Sequence, residues 1–188
     1  MTSGIIIIAV SILWVGSEII LARTKRSHSS DMSLDKSSLR VLWITIAVAV
    51  NVGVLLSFQR IGHIGNGSQI LPIAGLIFIV CGLLVRWLAI LSLKRQFTVD
   101  VSIAEDHRII RTGMYRFVRH PAYAGSLLSF LGLALCFSNY VSMVVIFVPI
   151  CLAFLYRIHV EEDALINAFG SQYLDYCAST RRLIPGIF

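Results

Sequence analysis

Long apolar runs alternate with short polar loops along most of the chain. Three of these runs have the roughly 20 residues that a helix needs to cross the hydrocarbon layer of a bilayer. A final apolar block is too long for one ordinary span, and Ser138 and Asn139 divide it, which predicts a tight helical hairpin. The five predicted transmembrane helices comprise residues 4–22, 41–58, 70–93, 122–137 and 140–156.

The composition also indicates a membrane protein. Of the 188 residues, 57% are hydrophobic and 14% are charged, whereas soluble domains average about 45–50% and about 25%. A protein of this size buries too small a fraction of its surface to place so many hydrophobic residues in its core. We therefore predict an all-α integral membrane protein that forms a single domain over residues 1–188. The four cysteines show no Cys-x-x-Cys spacing and the basic residues flank apolar runs, so we predict no metal site and no nucleic-acid partner.

The basic residues predict the orientation of the chain. Lys and Arg are concentrated in the loop after the first span, in the polar stretch 94–124 and in the C-terminal segment 157–188. The loop between the second and third spans contains only Arg60. By the positive-inside rule, five spans then place the N-terminus outside and the polar stretch and the C-terminal segment together in the cytoplasm. The short loops and small size favour a prokaryotic inner membrane.

The first segment with candidate chemistry leads into the fourth span. Pro121 suits the first turn of a helix, which places Arg119 and His120 at a helix N-terminus, where free N–H groups favour anions. Tyr115 and Tyr123 add aromatic faces beside these donors. Two interpretations stay open from the residue types alone. The corner could bind a carboxylate together with an aromatic base, or it could be an interfacial belt that anchors a helix at the headgroups.

The second segment leaves the fifth span. Arg157 and Glu161 are four residues apart on one helix, which on an exposed surface is an ordinary ion pair. Arg157, however, lies where an apolar span ends, and an ionisable group at membrane depth suggests a functional site. Further on, an apolar stripe at helical spacing indicates packing more than ligand contact. It comprises Leu165, Phe169, Tyr173 and Tyr176.

Together the two segments resemble the isoprenylcysteine carboxyl methyltransferase family. The family pattern Gly-x-Tyr-x-x-x-Arg-His-Pro-x-Tyr-x-Gly matches residues 113–125. The later pattern Arg-x-x-x-Glu-Glu-x-x-Leu-x-x-x-Phe-Gly-x-x-Tyr-x-x-Tyr matches residues 157–176, and Arg-x-Ile-Pro matches 182–185. The resemblance covers about residues 90–188, and its specificity comes from the ordered set with the correct spacing.

The resemblance implies a site and a cofactor. It implies that S-adenosylmethionine binds in the cytoplasmic region, in a pocket that Glu161 closes, and that Arg157 holds the carboxylate of the methyl acceptor. Some relatives carry an amide near Ser102. The residues implied to line the cofactor pocket are Ser102, His107, Arg108, Ile109, Ile110, Tyr115, Arg119, His120, Pro121, Ala122 and Tyr123.

The implied reaction is methyl transfer to the carboxylate of a lipophilic acceptor, such as a prenylcysteine-like compound, that enters from the bilayer. A carboxylate is already ionised at neutral pH, so no general base is required. Besides membrane lipids and the substrate, we predict no obligate protein partner. Three alternatives remain open at this point: a lipid-amine N-methyltransferase, an NADPH-dependent reductase of the sterol reductase type, and a non-catalytic membrane scaffold.

Overall fold

The computed structural model is almost entirely helical. It describes residues 9–10, 12–14, 16–21, 32–35, 37–59, 61–65, 69–93, 101–103 and 109–186. Its elements are α1 (Ile12–Leu21), β1 (Met32–Asp35), α2 (Ser37–Ser57), α3 (Ile70–Leu93), β2 (Val101–Ile103), a 3-10 turn (Gly113–Arg116), α4 (Pro121–Cys136), α5 (Tyr140–Phe169) and α6 (Ser171–Ser179). Helices α2, α3 and α5 are long and apolar enough to cross a membrane, and α1 and α4 are shorter apolar helices.

The helix bounds agree closely with the apolar pattern for α3 and α4, and they differ at the start of α2 and at the end of α5. Helix α3 has the predicted bounds, and the chain breaks between α4 and α5 at Ser138, whose φ is +48°, and Asn139. The predicted span 140–156, by contrast, is only the first part of α5, which continues to Phe169. Its 30 residues extend about 45 Å, against about 30 Å of hydrocarbon. The charged C-terminal turns of α5 therefore reach beyond the apolar layer.

Helices α3 and α4 pack closely because glycines face each other along their contact. A Cβ atom added at Gly82 would lie 2.5 Å from the carbonyl oxygen of Gly125, and one at Gly132 would lie 2.5 Å from the carbonyl oxygen of Gly75. Small residues of this kind let helix backbones approach in a membrane, where van der Waals packing drives association. The contact fixes the N-terminal end of α4 against the C-terminal half of α3.

The remaining helices pack around a core of aliphatic and aromatic side chains. Ile79, Ile146 and Ile150 are fully buried at its centre. Trp14 of α1 lies against Phe130 of α4, with ring centroids 4.7 Å apart. This core continues toward the first turn of α4, so close packing holds the residues near that turn in place.

The turn between α4 and α5 meets the loop between α2 and α3. The Asn139 side chain accepts hydrogen bonds from the amides of Val141 and Ser142 and thereby caps α5. Its Nδ2 donates to the carbonyl of Ile61 at 2.9 Å, and the amide of Tyr140 donates to the carbonyl of Gly62. These two connections therefore lie together, at the end of α4 that is remote from Pro121.

A two-stranded antiparallel ribbon is the one departure from the all-helical prediction among the described residues. Strand β1, which precedes α2, pairs with β2, which follows α3. Met32 lies opposite Ile103 and Ser33 lies opposite Ser102. The ribbon thus pairs a strand of the connection after α1 with a strand of the polar stretch 94–124. The basic residues predict both of these segments on the same face.

Candidate functional site

The two segments with candidate chemistry meet at the N-terminus of α4. Pro121 occupies the first position of α4 and His120 precedes it, as predicted. The amide of Arg119 donates to the carbonyl of Arg181 at 2.7 Å, and the amide of His120 donates to the carbonyl of Arg182 at 3.0 Å. The C-terminal segment thus runs alongside the approach to α4 as a short parallel pair, and the two segments form one layer.

Glu162 closes this layer from the side of α5. Its carboxylate accepts from Arg119 Nε at 2.7 Å and from Arg182 Nε at 2.8 Å, and it lies 3.3 Å from His120 Nε2. Arg119 Nη1 also donates to the carbonyl of Thr180 at 2.7 Å. Glu162 is only 4% exposed. The Arg119 guanidinium therefore contacts the C-terminal part of the protein. We call the cluster of Arg119, His120, Glu162 and Arg182 the Glu162 clasp.

Glu161, the residue before Glu162, contacts a different neighbour. Its Oε2 accepts a hydrogen bond of 2.7 Å from the Tyr123 hydroxyl. The Tyr123 ring lies parallel to the His120 ring, at 11° and 5.6 Å between centroids, and His120 Nδ1 lies 4.0 Å from Glu161 Oε1. The Glu161 side chain stays 30% exposed. A solvent-accessible carboxylate beside two aromatic faces can bind a cation that also carries a flat ring.

Tyr115 connects this layer to α3. Gly113, with φ of +61°, makes the turn before it, a conformation that glycine adopts without strain. The Tyr115 ring is buried against α3 with Ala89 and Ala122, and its carbonyl accepts a hydrogen bond of 2.6 Å from the Tyr176 hydroxyl. Burial raises the pKa of Tyr115 and raises the pKa of Tyr176 to about 12, so both hydroxyls stay protonated. The predicted packing role of Tyr176 is confirmed.

Next to this layer, a cavity of about 380 Å³ opens among α1, α2, α3, α4 and α5. Arg157 lies at its wall, only 1% exposed, and its Nη1 donates to Ser38 Oγ at 2.6 Å. Tyr123 lines the same cavity. Most of the other lining side chains are apolar, including Trp14, Leu42, Trp43, Ile46, Val50, Phe130, Leu133 and Phe154. Tyr123 therefore contacts both the cavity and the Glu161 carboxylate.

Sequence analysis missed two further charged residues of this cavity. Glu18 of α1 and Arg86 of α3 form a bidentate ion pair, with Nε–Oε1 of 2.6 Å and Nη2–Oε2 of 2.7 Å. Arg86 Nη1 also donates to Ser126 Oγ at 2.8 Å. The signal was present, because a lone charge inside an apolar run is unusual in a membrane helix.

Not every predicted site residue is described. His107 and Arg108 lie outside the described residues, and of Ser102 only the backbone in β2 is described. Ile109 is half-buried, and Ile110 packs with Tyr115 and Ala122. Among the described residues, no group of His, Cys, Asp and Glu side chains could hold a metal ion.

Comparison with known proteins finds a matching family. The model of the isoprenylcysteine carboxyl methyltransferase (ICMT) family matches residues 75–167. A protein-S-isoprenylcysteine O-methyltransferase A of Arabidopsis thaliana is 37% identical over 113 residues, which cover 59% of this chain and 57% of that protein. A probable protein-S-isoprenylcysteine O-methyltransferase of Oryza sativa subsp. indica is 28% identical over 183 residues, which cover 95% of this chain and 94% of that protein.

A solved structure shares the fold. The structure of the eukaryotic intramembrane Ras methyltransferase, an isoprenylcysteine carboxyl methyltransferase, aligns with a TM-score of 0.55 at 23% identity and covers 81% of this chain and 54% of that one. The chain thus spans little more than half the length of this structure and of the Arabidopsis relative. These relatives are eukaryotic, and the predicted prokaryotic membrane finds no support in them. The segment 75–167, which contains Arg157, Glu161 and Glu162, thus matches the isoprenylcysteine carboxyl methyltransferase family.

Proposed function

We propose that this protein transfers a methyl group from S-adenosylmethionine to the carboxylate of a lipophilic acceptor such as a prenylcysteine-like compound. One observation carries the proposal: Tyr123 joins a polar, partly exposed cluster to a largely apolar cavity. A charged donor can approach the cluster from water, and an acceptor with a long apolar tail can approach the cavity from lipid. The names of the relatives support carboxyl methylation over N-methylation and over reduction.

The polar cluster fits a methyl donor of this chemistry. S-adenosylmethionine supplies a methyl group on a sulfonium, together with an ammonium, a carboxylate and an adenine ring. Glu161 offers an anion, and the stacked rings of His120 and Tyr123 offer aromatic surface beside it. Residues of the first turn of α4 lie next to them, at the positive end of the helix dipole. His120, Tyr123 and Glu161 would hold the donor, and the predicted contacts of His107 and Arg108 stay part of this proposal.

Arg157 would hold the acceptor carboxylate. A guanidinium matches the geometry of a carboxylate, and its attraction is strong where water is excluded. Arg157 meets that condition because it is almost fully buried at the cavity wall. The apolar side chains of α2 and α4 would then contact the acceptor's tail. Neither Arg157 nor Glu161 acts as a base in this reaction, since the attacking oxygen carries its charge already.

Positioning supplies most of the expected rate enhancement. Groups held in line reach effective molarities of about 10⁵–10⁸ M. The hydrogen bond between Tyr123 and Glu161 fixes the Tyr123 ring, which lies between the proposed donor site and the acceptor cavity. The Glu162 clasp and the glycine contact between α3 and α4 hold the donor site and the acceptor cavity at the same end of the helix bundle.

The proposal includes the orientation of the protein. Five spans with the N-terminus outside would put the site in the cytoplasm, within a single domain of residues 1–188. Two contacts support it: the β1–β2 ribbon joins two of the basic segments, and the loop with Ile61 and Gly62 meets the α4–α5 turn at the remote end. The substitutions Arg181→Cys and Ile61→Cys introduce thiols at two exposed positions. Labelling them from either side of sealed vesicles would test this orientation.

Binding of S-adenosylhomocysteine to the detergent-solubilised protein tests the donor site. We expect saturable binding that Glu161→Gln weakens at least about tenfold, because the substitution removes a charge-assisted contact. Asp163→Asn is the matched control, since Asp163 lies on the same helix with its side chain 56% exposed and 3.4 Å from His159. Equal effects of the two variants, or stabilisation by NADPH in place of S-adenosylhomocysteine, would contradict the proposal.

Methyl transfer from the labelled donor tests the acceptor. We expect transfer to an S-farnesylated N-acetylcysteine and none to phosphatidylethanolamine, and we expect Arg157→Met to raise KM or lower kcat/KM while donor binding is retained. Transfer to the lipid amine alone would point to the N-methyltransferase alternative. Donor binding without transfer to any carboxylate would refute the acceptor class and leave the donor site intact.

A further inference from the structure

The ion pair between Glu18 and Arg86 lies in the wall of the same cavity as Arg157. Both partners sit in apolar helices, and their side chains are 17% and 11% exposed. Ionisable groups are costly within a membrane and are retained mainly where they serve a function. A pair of opposite charges could also be a simple tie between α1 and α3. Its position in the cavity, however, brings it within the region that an acceptor must occupy.

The hydrogen bonds of Arg86 leave little capacity for a further anion. Glu18 occupies Nε and Nη2, and Ser126 Oγ accepts from Nη1 at 2.8 Å. The carbonyl of Ala122 accepts from the same Nη1 at 3.4 Å. All three guanidinium nitrogens are thus engaged, and the paired carboxylate cancels the positive charge. Arg86 is therefore masked in the cavity as long as Glu18 stays in place.

We propose that Glu18 is a specificity-determining residue that masks Arg86, so that the cavity accepts a lipophilic acid with one carboxylate and rejects one with a second carboxylate near the first. This inference rests on the proposed function. A second acceptor carboxylate would lie near the negative charge of Glu18 and would find Arg86 already occupied. Juxtaposed like charges suppress binding of the wrong partner, which is specificity by repulsion.

Two matched ligands test the inference by binding, independently of turnover. Farnesylthioacetate carries one carboxylate, and farnesylthiosuccinate carries the same tail and a second carboxylate. We expect the wild-type protein, saturated with S-adenosylhomocysteine, to bind the first at least about tenfold more tightly. Glu18→Gln should remove or reverse this preference, because it unmasks the Arg86 charge. The double variant Glu18→Gln/Arg86→Gln should show a smaller preference than the wild type without reversing it, because neither the repelling carboxylate nor the attracting guanidinium remains.

Two more variants keep the test decisive. Ser126→Ala removes a neutral partner of Arg86 and should leave the preference unchanged. If Glu18→Gln does not fold, Arg86→Gln alone should weaken binding of both ligands, since Glu18 is then left unpaired. The same preference in Glu18→Gln as in the wild type would overturn the inference, and so would tighter wild-type binding of the dicarboxylate. Wild-type binding of neither ligand would instead refute the proposed acceptor class.

Discussion

Replacing Glu162 by Gln should open the layer that carries the proposed donor site. The wild-type carboxylate contacts Arg119 at 2.7 Å, Arg182 at 2.8 Å and His120 at 3.3 Å. Gln has nearly the same volume and can accept from one of these donors, but it carries no charge. The side chain of Arg119 is 9% exposed, so its guanidinium would be left in a poorly solvated position without its anion.

The expected cost follows from these contacts. Removing one partner of a buried ion pair costs about 3–5 kcal/mol. The Arg182 side chain is 41% exposed and contributes little, because water solvates it in either state. We therefore expect about 3 kcal/mol, the lower end of that range. The control Asp163→Asn breaks an exposed pair and should cost less than about 0.5 kcal/mol.

Amide hydrogen exchange in detergent measures this effect where it occurs. The amides of Arg119, His120 and Arg181 bond across the two segments, so their exchange reports opening of the layer. About 3 kcal/mol corresponds to exchange that is roughly 100-fold faster. Amides in the middle of α3 should not change. The reasoning would be refuted if Glu162→Gln accelerated the cross-segment amides no more than Asp163→Asn does.

Three other substitutions have defined outcomes. Gly125→Ala should lower the thermal unfolding temperature clearly, because the new Cβ would lie 2.6 Å from α3 backbone atoms. Asn139→Ala should cost about 1–2 kcal/mol in chemical unfolding, since it removes the cap of α5 and the tether to Ile61. Tyr123→Phe keeps the ring and loses the hydrogen bond to Glu161, so methyl transfer assays should show kcat reduced about tenfold or less with the unfolding temperature nearly unchanged.

The apolar pattern predicted the helices well where length alone decides. The bounds of α3 and the break at Ser138 and Asn139 follow from runs that are either long enough for a bilayer or too long for one span. The pattern could not show that α5 continues as one helix to Phe169. Hydropathy falls at Arg157, where charged residues begin, whereas the helical backbone continues unchanged to Phe169.

The candidate site was predictable in its position more than in its contacts. Spacing around Pro121 placed His120 correctly at a helix N-terminus, and the family pattern brought Glu161 into the same site. Contacts between residues far apart in sequence were out of reach. The pair of Glu18 and Arg86 is separated by 68 positions, and no local pattern specifies such a partner.

The adjacent residues Glu161 and Glu162 illustrate why a motif does not assign roles. Successive residues on an α-helix point about 100° apart, because one turn takes 3.6 residues. Glu162 therefore faces Arg119 and Arg182 and is buried, while Glu161 faces Tyr123 and stays partly exposed. One carboxylate is committed to the Glu162 clasp, and its neighbour stays partly exposed, as the proposed donor site requires. Because helix geometry makes this division, exchanging the two roles would require rotating the end of α5, which the Glu162 clasp prevents.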